Sequence, residues 1–216
     1  MWPLSTIFAK TGPTHFFLLL IFFTLVSGCA LLREDGQEPV SADSIAGNEA
    51  QAVNPELQLR FQQIVTLIRN EQFEEAVTAL ESFIADDASL ASPHVNLGIA
   101  YVRLGREGDA MNAFQAALAV DPNDPHANNL LGILHRQAGR FEEARASYQK
   151  ILAAHPDYGN AHLNMGILCD IYLQNLNCAL GHYEKFQQLS AAEDKEVSLW
   201  ITDLKQRMRS KQASAP

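Results

Sequence analysis

The sequence predicts an all-α fold, a solenoid of about four helix-turn-helix units followed by a C-terminal capping helix. Three observations predict it. Laying Ala91–Asp124 over Pro125–Tyr158 sets Leu97, Gly98, Ala110, Phe114 and Pro122 against Leu131, Gly132, Ala144, Tyr148 and Pro156, each pair 34 residues apart, and a fixed period of that length marks a repeat architecture. Apolar residues recur at helical spacing inside the period, as in Leu57, Phe61, Ile64, Val65 and Ile68. Capping signals recur in step with them. Asn54-Pro55, Ser92-Pro93 and Asp124-Pro125 open first helices, and Gly105 and Gly139 stop them where a left-handed C-cap is wanted.

The repeat domain spans 55–190, with units at 57–90, 91–124, 125–158 and 159–190. In the first, Leu67, Ala76 and Leu80 stand opposite Tyr101, Ala110 and Phe114, while Ile64 takes the place of the glycine; its second helix begins near Phe73. The small residues Gly98, Gly132, Ala110 and Ala144 predict a close approach of two antiparallel backbones, with Tyr101, Phe114 and Tyr148 filling the space between neighbouring pairs. In the fourth unit Met165, Gly166, Leu168 and Tyr172 fit, but Ala179 and Tyr183 come one residue late, which places an inserted residue in the turn around Gln174–Asn177. Ser190-Ala191-Ala192-Glu193 reads as a capping box. It opens a capping helix, 191–210, with Val197, Trp200, Ile201, Leu204 and Met208 along one face and Lys195, Asp203, Lys205 and Arg207 on the polar side that a solenoid end requires. Trp200 is assigned to packing, and residues 211–216 to a disordered tail.

The pattern resembles the tetratricopeptide repeat. The second unit matches the signature with Leu97-Gly98, Tyr101, Ala110, Phe114, Ala117 and Pro122; the third matches with Leu131-Gly132, Ala144, Tyr148 and Pro156 and departs at His135 and Ile151. The resemblance implies a right-handed superhelix whose first helices line a concave groove for an extended or helical peptide. The positions carried over are Phe61, Val65, Ile68 and Arg69; Val95, Asn96, Ile99 and Arg103; His126, Asn129, Ile133 and Arg136; and Asn160, Leu163, Asn164 and Ile167. Together they describe an apolar floor with amides along it, which can bond a peptide backbone in either direction, and Arg69, Arg103 and Arg136 at one edge. The competing reading is that Asn96 and Asn164 bond neighbouring helix ends and some isoleucines belong to the core. The lysine-rich set with which chaperone-binding members clamp a C-terminal carboxylate is absent.

The N-terminus sets the expected address. Residues 1–28 carry one charged side chain, Lys10, then an apolar run Phe16–Val26 and the small residues Ser27-Gly28 before Cys29, the layout of a signal peptide. Val26-Ser27-Gly28-Cys29 resembles a bacterial lipobox, which implies acylation (palmitate) at Cys29 and, with Ala30 rather than aspartate following, a lipoprotein on the periplasmic face of the outer membrane of a Gram-negative bacterium. The alternatives are a plain secretory signal or an uncleaved anchor, although Phe16–Val26 is shorter than the roughly 20 apolar residues of a spanning helix. From Cys29 to Asn54 the chain lacks helical periodicity and carries Glu34, Asp35, Glu38, Asp43 and Glu49 against Arg33, a disordered tether by composition. Removing Lys10 from the 16 basic residues leaves 15 against 25 acidic ones, a formal charge of −10. Nucleic acid is therefore a poor partner. With 216 residues and 47% hydrophobic content, the chain supports one modest domain.

No catalytic constellation emerges. Glycine-rich phosphate loops and Gly-x-Ser-x-Gly are missing, and no cofactor is implied. His94, His126, His135, His155, His162 and His182 offer no pair at metalloprotease spacing, so no metal site is assigned. Cys169 and Cys178 flank one turn, where a disulfide competes with two small buried hydrophobes. The leading reading is a lipid-anchored interaction module that docks envelope proteins or peptide segments. It is similar to tetratricopeptide lipoproteins serving pilus secretins, peptidoglycan enzymes or TonB-type transport; Tyr172-Leu173-Gln174, Ala179-Leu180, Tyr183 and Trp200-Ile201 look most like the last group. A self-associating structural element and an enzyme or redox subunit resting on the two cysteines are the alternatives.

Overall fold

The computed structural model describes residues 54–213. The segment read as a signal peptide, the lipidation site Cys29, the tether as far as residue 53 and residues 214–216 lie outside the described residues. The elements are α1 (Pro55–Arg69), α2 (Phe73–Asp86), α3 (Ala91–Arg103), α4 (Glu107–Val120), α5 (Pro125–Gln137), α6 (Phe141–Ala154), α7 (Gly159–Ile167, running on as a π-turn over Leu168–Tyr172), α8 (Leu176–Leu189) and α9 (Lys195–Ala213). Each packs on the next in sequence, and first helices of adjacent units also touch, α1 against α3 and α5 against α7. That nearest-neighbour stacking is an α-solenoid.

Two of the three opening caps behave as their sequences predict. Asn54 Oδ1 accepts from the Glu56 amide at 3.0 Å, and Asp124 Oδ1 accepts from the Ala127 amide. Ser92-Pro93 does not cap. α3 starts at Ala91, and Ser92 and Pro93 are buried inside its first turn. The repeat puts Leu90, not Ser92, opposite Asp124, so packing of the unit sets the start.

Every first helix ends on a left-handed residue: Glu71 (φ 60°), Gly105 (71°), Gly139 (73°) and Gln174 (50°). In three units the residue after it closes the end with a bond five residues back, Gln72 to the Leu67 carbonyl, Arg106 to Tyr101 and Arg140 to His135, at 2.9, 2.8 and 2.8 Å, a Schellman end. In the fourth, Asn175 reaches six residues back, to the Cys169 carbonyl at 2.8 Å. The extra residue therefore precedes the turn instead of lying within Gln174–Asn177. The π-turn holds it, with the Leu173 amide bonded to the Leu168 carbonyl at 3.0 Å. A π-turn closes over one residue more than an α-turn, so the insertion leaves the following cap unchanged.

The glycines of the repeat make room for rings. A Cβ on Gly98, Gly132 or Gly166 would lie 2.4, 2.5 or 2.4 Å from a ring atom of Phe114, Tyr148 or Tyr183, each on the second helix of the same unit. The room each glycine leaves between the two helices is taken by a ring, and Phe114 and Tyr148 fill the inside of their units. Tyr101 reaches across units, its hydroxyl donating to Glu81 at 2.7 Å. Unit one keeps the volume by the opposite choice, Ile64 with Leu80, both buried.

Sequence and structure part again at the C-terminal end. Ser190 does not open a capping box: its hydroxyl donates to the Phe186 carbonyl at 2.9 Å and closes α8. Asp194 caps α9, its Oδ1 accepting from the amides of Glu196 and Val197 at 3.0 and 3.1 Å. An aspartate one residue before the first helical position satisfies the orphan donors that Glu193 cannot reach. α9 then runs to Ala213, three residues into the stretch read as tail. Trp200 stacks 5.4 Å from Tyr183, and Val197 and Leu204 are buried against the fourth unit. Lys205–Glu184 at 2.8 Å and Arg207–Asp170 at 2.6 Å fasten the rim.

Candidate functional site

The first helices carry the candidate surface, and packing divides its residues into two sets. Asn96, Ile99, Asn129, Arg136, Asn164 and Ile167 are buried, as are Val65, Ile68 and Val95. Their side chains lie within the stack of helices and present little surface to solvent. The amides show how: Asn164 Nδ2 donates to Asn129 Oδ1 at 3.0 Å, tying α7 to α5. His126, Ile133, Phe61 and Leu163 are half-buried, and Arg69, Arg103 and Asn160 are exposed.

The exposed side chains concentrate where the first helices end. Counted two residues back from the left-handed stops, residues 69, 103, 137 and 172 occupy one position, and all four, Arg69, Arg103, Gln137 and Tyr172, are exposed, with Ile171 exposed beside the last. Their surroundings repeat too. The Arg103 guanidinium lies over the Phe73 ring at 5.4 Å, with Glu71 at 3.9 Å. In the later units Tyr172 packs on Phe141 with centroids 4.9 Å apart, and the Arg136 guanidinium lies 5.8 Å from the Tyr172 ring. Ile171 and Tyr172 keep 53% and 39% of their surface in solvent, which is unusual for adjacent large apolar residues. Gln137 and Ile171 escaped the sequence reading because they are not arginine. The 34-residue step from Arg103 was the signal that could have found them.

A second recurring device closes the links between units. Asn128 Nδ2 donates to the Pro122 carbonyl at 3.2 Å, and one period later His162 Nε2 donates to the Pro156 carbonyl at 3.0 Å. One period earlier His94 bonds the Ala88 backbone, and burial holds its pKa below the ordinary value. A carbonyl only accepts, so Nε2 of His162 carries a proton, and its Nδ1 shares a hydrogen bond with Nδ1 of His182 at 3.0 Å. Burial first, and then the neighbouring His162, lower the His182 pKa; burial and the Arg140 charge do the same for His135. His182 borders a depression of about 510 Å³ between α6 and α8, beside the Cys169–Cys178 disulfide, whose Cα atoms are 5.8 Å apart. Among the described residues, no three His, Cys, Asp or Glu side chains gather as a metal site.

Residues 95–159 match the family model described as tetratricopeptide repeat. Residues 95–159 carry the tetratricopeptide repeat pattern. The solved structures this repeat protein is similar to include PilF of Pseudomonas aeruginosa, 20% identical with a TM-score of 0.65 over 72% of this chain and 70% of that one. MamA of Desulfovibrio magneticus is 20% identical with a TM-score of 0.63, covering 75% and 90%. YrrB, described as a tetratricopeptide protein with an unusual peptide-binding site, is 20% identical with a TM-score of 0.56, covering 68% and 74%. At this identity the likeness is one of fold. No curated protein matches the chain.

Proposed function

We propose that this repeat protein is a lipid-anchored adaptor of the bacterial envelope, tethered through Cys29 to the periplasmic face of the outer membrane, whose first-helix surface docks a segment of a partner protein. The observation that carries the docking reading is the row of exposed side chains at a single position before the ends of the first helices, Arg69, Arg103, Gln137 and Tyr172. A rigid helical scaffold that holds one such row at regular intervals is suited to reading a partner along its length. The lipobox-like Val26-Ser27-Gly28-Cys29 supports the anchor, and the acidic mature chain disfavours nucleic acid. The role is to support assembly or stability of an envelope complex, TonB-type transport or a pilus-like machine being the candidates, with no reaction catalysed.

The test is chemical crosslinking in envelopes followed by mass spectrometry, comparing the native chain with Cys29→Ser. One set of envelope proteins captured by the native chain and lost without the lipid is the expected result. Capture of the chain by itself alone, in both forms, would replace the adaptor by a self-associating envelope protein.

A further inference from the structure

We infer that the row at the ends of the first helices is directional: it takes an extended segment with carboxylates at one end and large apolar side chains at the other, and takes it in one orientation. This rests on the docking reading above and specifies the partner's chemistry. At one position before the left-handed stops the exposed residues run Arg69, Arg103, Gln137, Tyr172, with Ile171 exposed beside the last. Two successive cations stand at the N-terminal end of the row, an amide follows, and an apolar residue stands at the C-terminal end. The second character of each end is reinforced by its neighbours. Phe73 backs Arg103 and holds the guanidinium over its ring, and the exposed Glu71 stands 3.9 Å away in a long, solvent-facing pair, so a partner carboxylate displaces Glu71 and bonds the planar fork. At the other end Tyr172 adds its partly exposed ring to Ile171 and is backed by Phe141.

The apolar end is built, not incidental. Ile171 and Tyr172 lie in the π-turn that accommodates the fourth unit's extra residue, and such turns concentrate at functional positions. Cys169 in the same turn is bonded to Cys178 at the start of α8, and Asp170 is held by Arg207 of α9 at 2.6 Å. Ile171 and Tyr172 are therefore displayed on a turn held by a disulfide and an ion pair. Net charge argues against a trivial explanation of the acidic preference. With 15 basic and 25 acidic side chains after Cys29 is reached, the chain as a whole repels acidic peptides, so a preference for them has to come from the local arginines.

The experiment is selection of a phage-displayed random peptide library on the full chain, in parallel with Arg69→Glu/Arg103→Glu and with Ile171→Asp. The expected outcome is enrichment of peptides with an acidic cluster on one side and apolar residues on the other, in one order. A synthetic peptide from that set binds about tenfold more weakly to the double arginine variant and loses its salt dependence there. With Ile171→Asp it weakens while the salt dependence stays, and the peptide with its halves exchanged binds poorly throughout. Enriched peptides without that order, or with it but indifferent to both variants, overturn the directional inference and leave the docking reading in place. Failure of any peptide to enrich overturns the docking reading itself.

Discussion

At the scale of single residues, burial separates two arginines that the sequence presents alike. Arg103 is exposed at its helix end, whereas Arg136 is buried with its guanidinium near Tyr172. Arg103→Glu should leave the urea midpoint within about 0.5 kcal/mol of native, while Arg136→Glu should cost several times that, since it buries a carboxylate among groups arranged for a cation; equal effects would contradict this division. The glycine-ring seats make a sharper case. Gly98→Ile with Phe114→Leu recreates the Ile64 and Leu80 pair of unit one, and the double variant should be more stable than the sum of the singles allows. A thermodynamic cycle from denaturant curves measures it, and strict additivity would show that the pairs are not equivalent. The imidazoles supply a pH dependence. His94, His135 and His182 have folded pKa values lowered by burial, so below about pH 6.5 the unfolded chain binds more protons than the folded one. Stability is then complete above that range and falls as acid is added. His162→Asn, which copies Asn128, should preserve the bond to Pro156 and shrink the slope of melting temperature against pH by relieving His182; an unchanged slope would refute the coupling.

At the scale of elements, the ends of the first helices are where local chemistry and the repeat compete. Glu71 and Gln174 adopt the left-handed conformation that Gly105 and Gly139 adopt freely. Glu71→Gly should raise stability by about 0.5–1 kcal/mol, measured as a higher denaturation midpoint, because a side chain is strained there and glycine is not. The disulfide closes a short loop of sequence separation 9, worth about 2.5–3 kcal/mol by chain entropy. Cys169→Ser/Cys178→Ser, or a reducing agent, should lower the melting temperature accordingly, with lost amide-exchange protection centred on α8 and the π-turn. Protection lost evenly along the chain would contradict a local role. These ends also show what the sequence could say. Asn54, Asp124, Gly105 and Gly139 were legible because each acts on backbone groups a few residues away. Ser92-Pro93 and Ser190–Glu193 carry the same local vocabulary and were misread, since packing fixed the start of α3 at Ala91 and Asp194 lay closer to the open end of α9. The buried groove residues were illegible for a different reason. How far α5 and α7 approach decides whether Asn129 and Asn164 meet each other or a ligand, and no single helix contains that distance.

At the scale of the whole molecule, the period of the sequence and the period of the structure separate only once. Through Tyr158 each unit advances by 34 residues, with the same left-handed stop and the same closing bond, and the π-turn then adds one residue before the fourth stop. The buried core is likewise continuous within neighbours: residues from Ile64 to Leu134 form one cluster and those from Ala144 to Leu204 another, with Tyr148 of the second seated on Gly132 of the first side. Nearest-neighbour packing of this sort makes the array modular. For an engineer the consequence is practical. Residues 124–157 form a cassette that brings its own cap, Asp124, and ends in phase, so a duplicate inserted after Asp157 would lengthen the array and carry the arginine end further from the apolar end. The fourth unit cannot be copied in this way, because its extra residue and its covalent link belong to the place where the array stops.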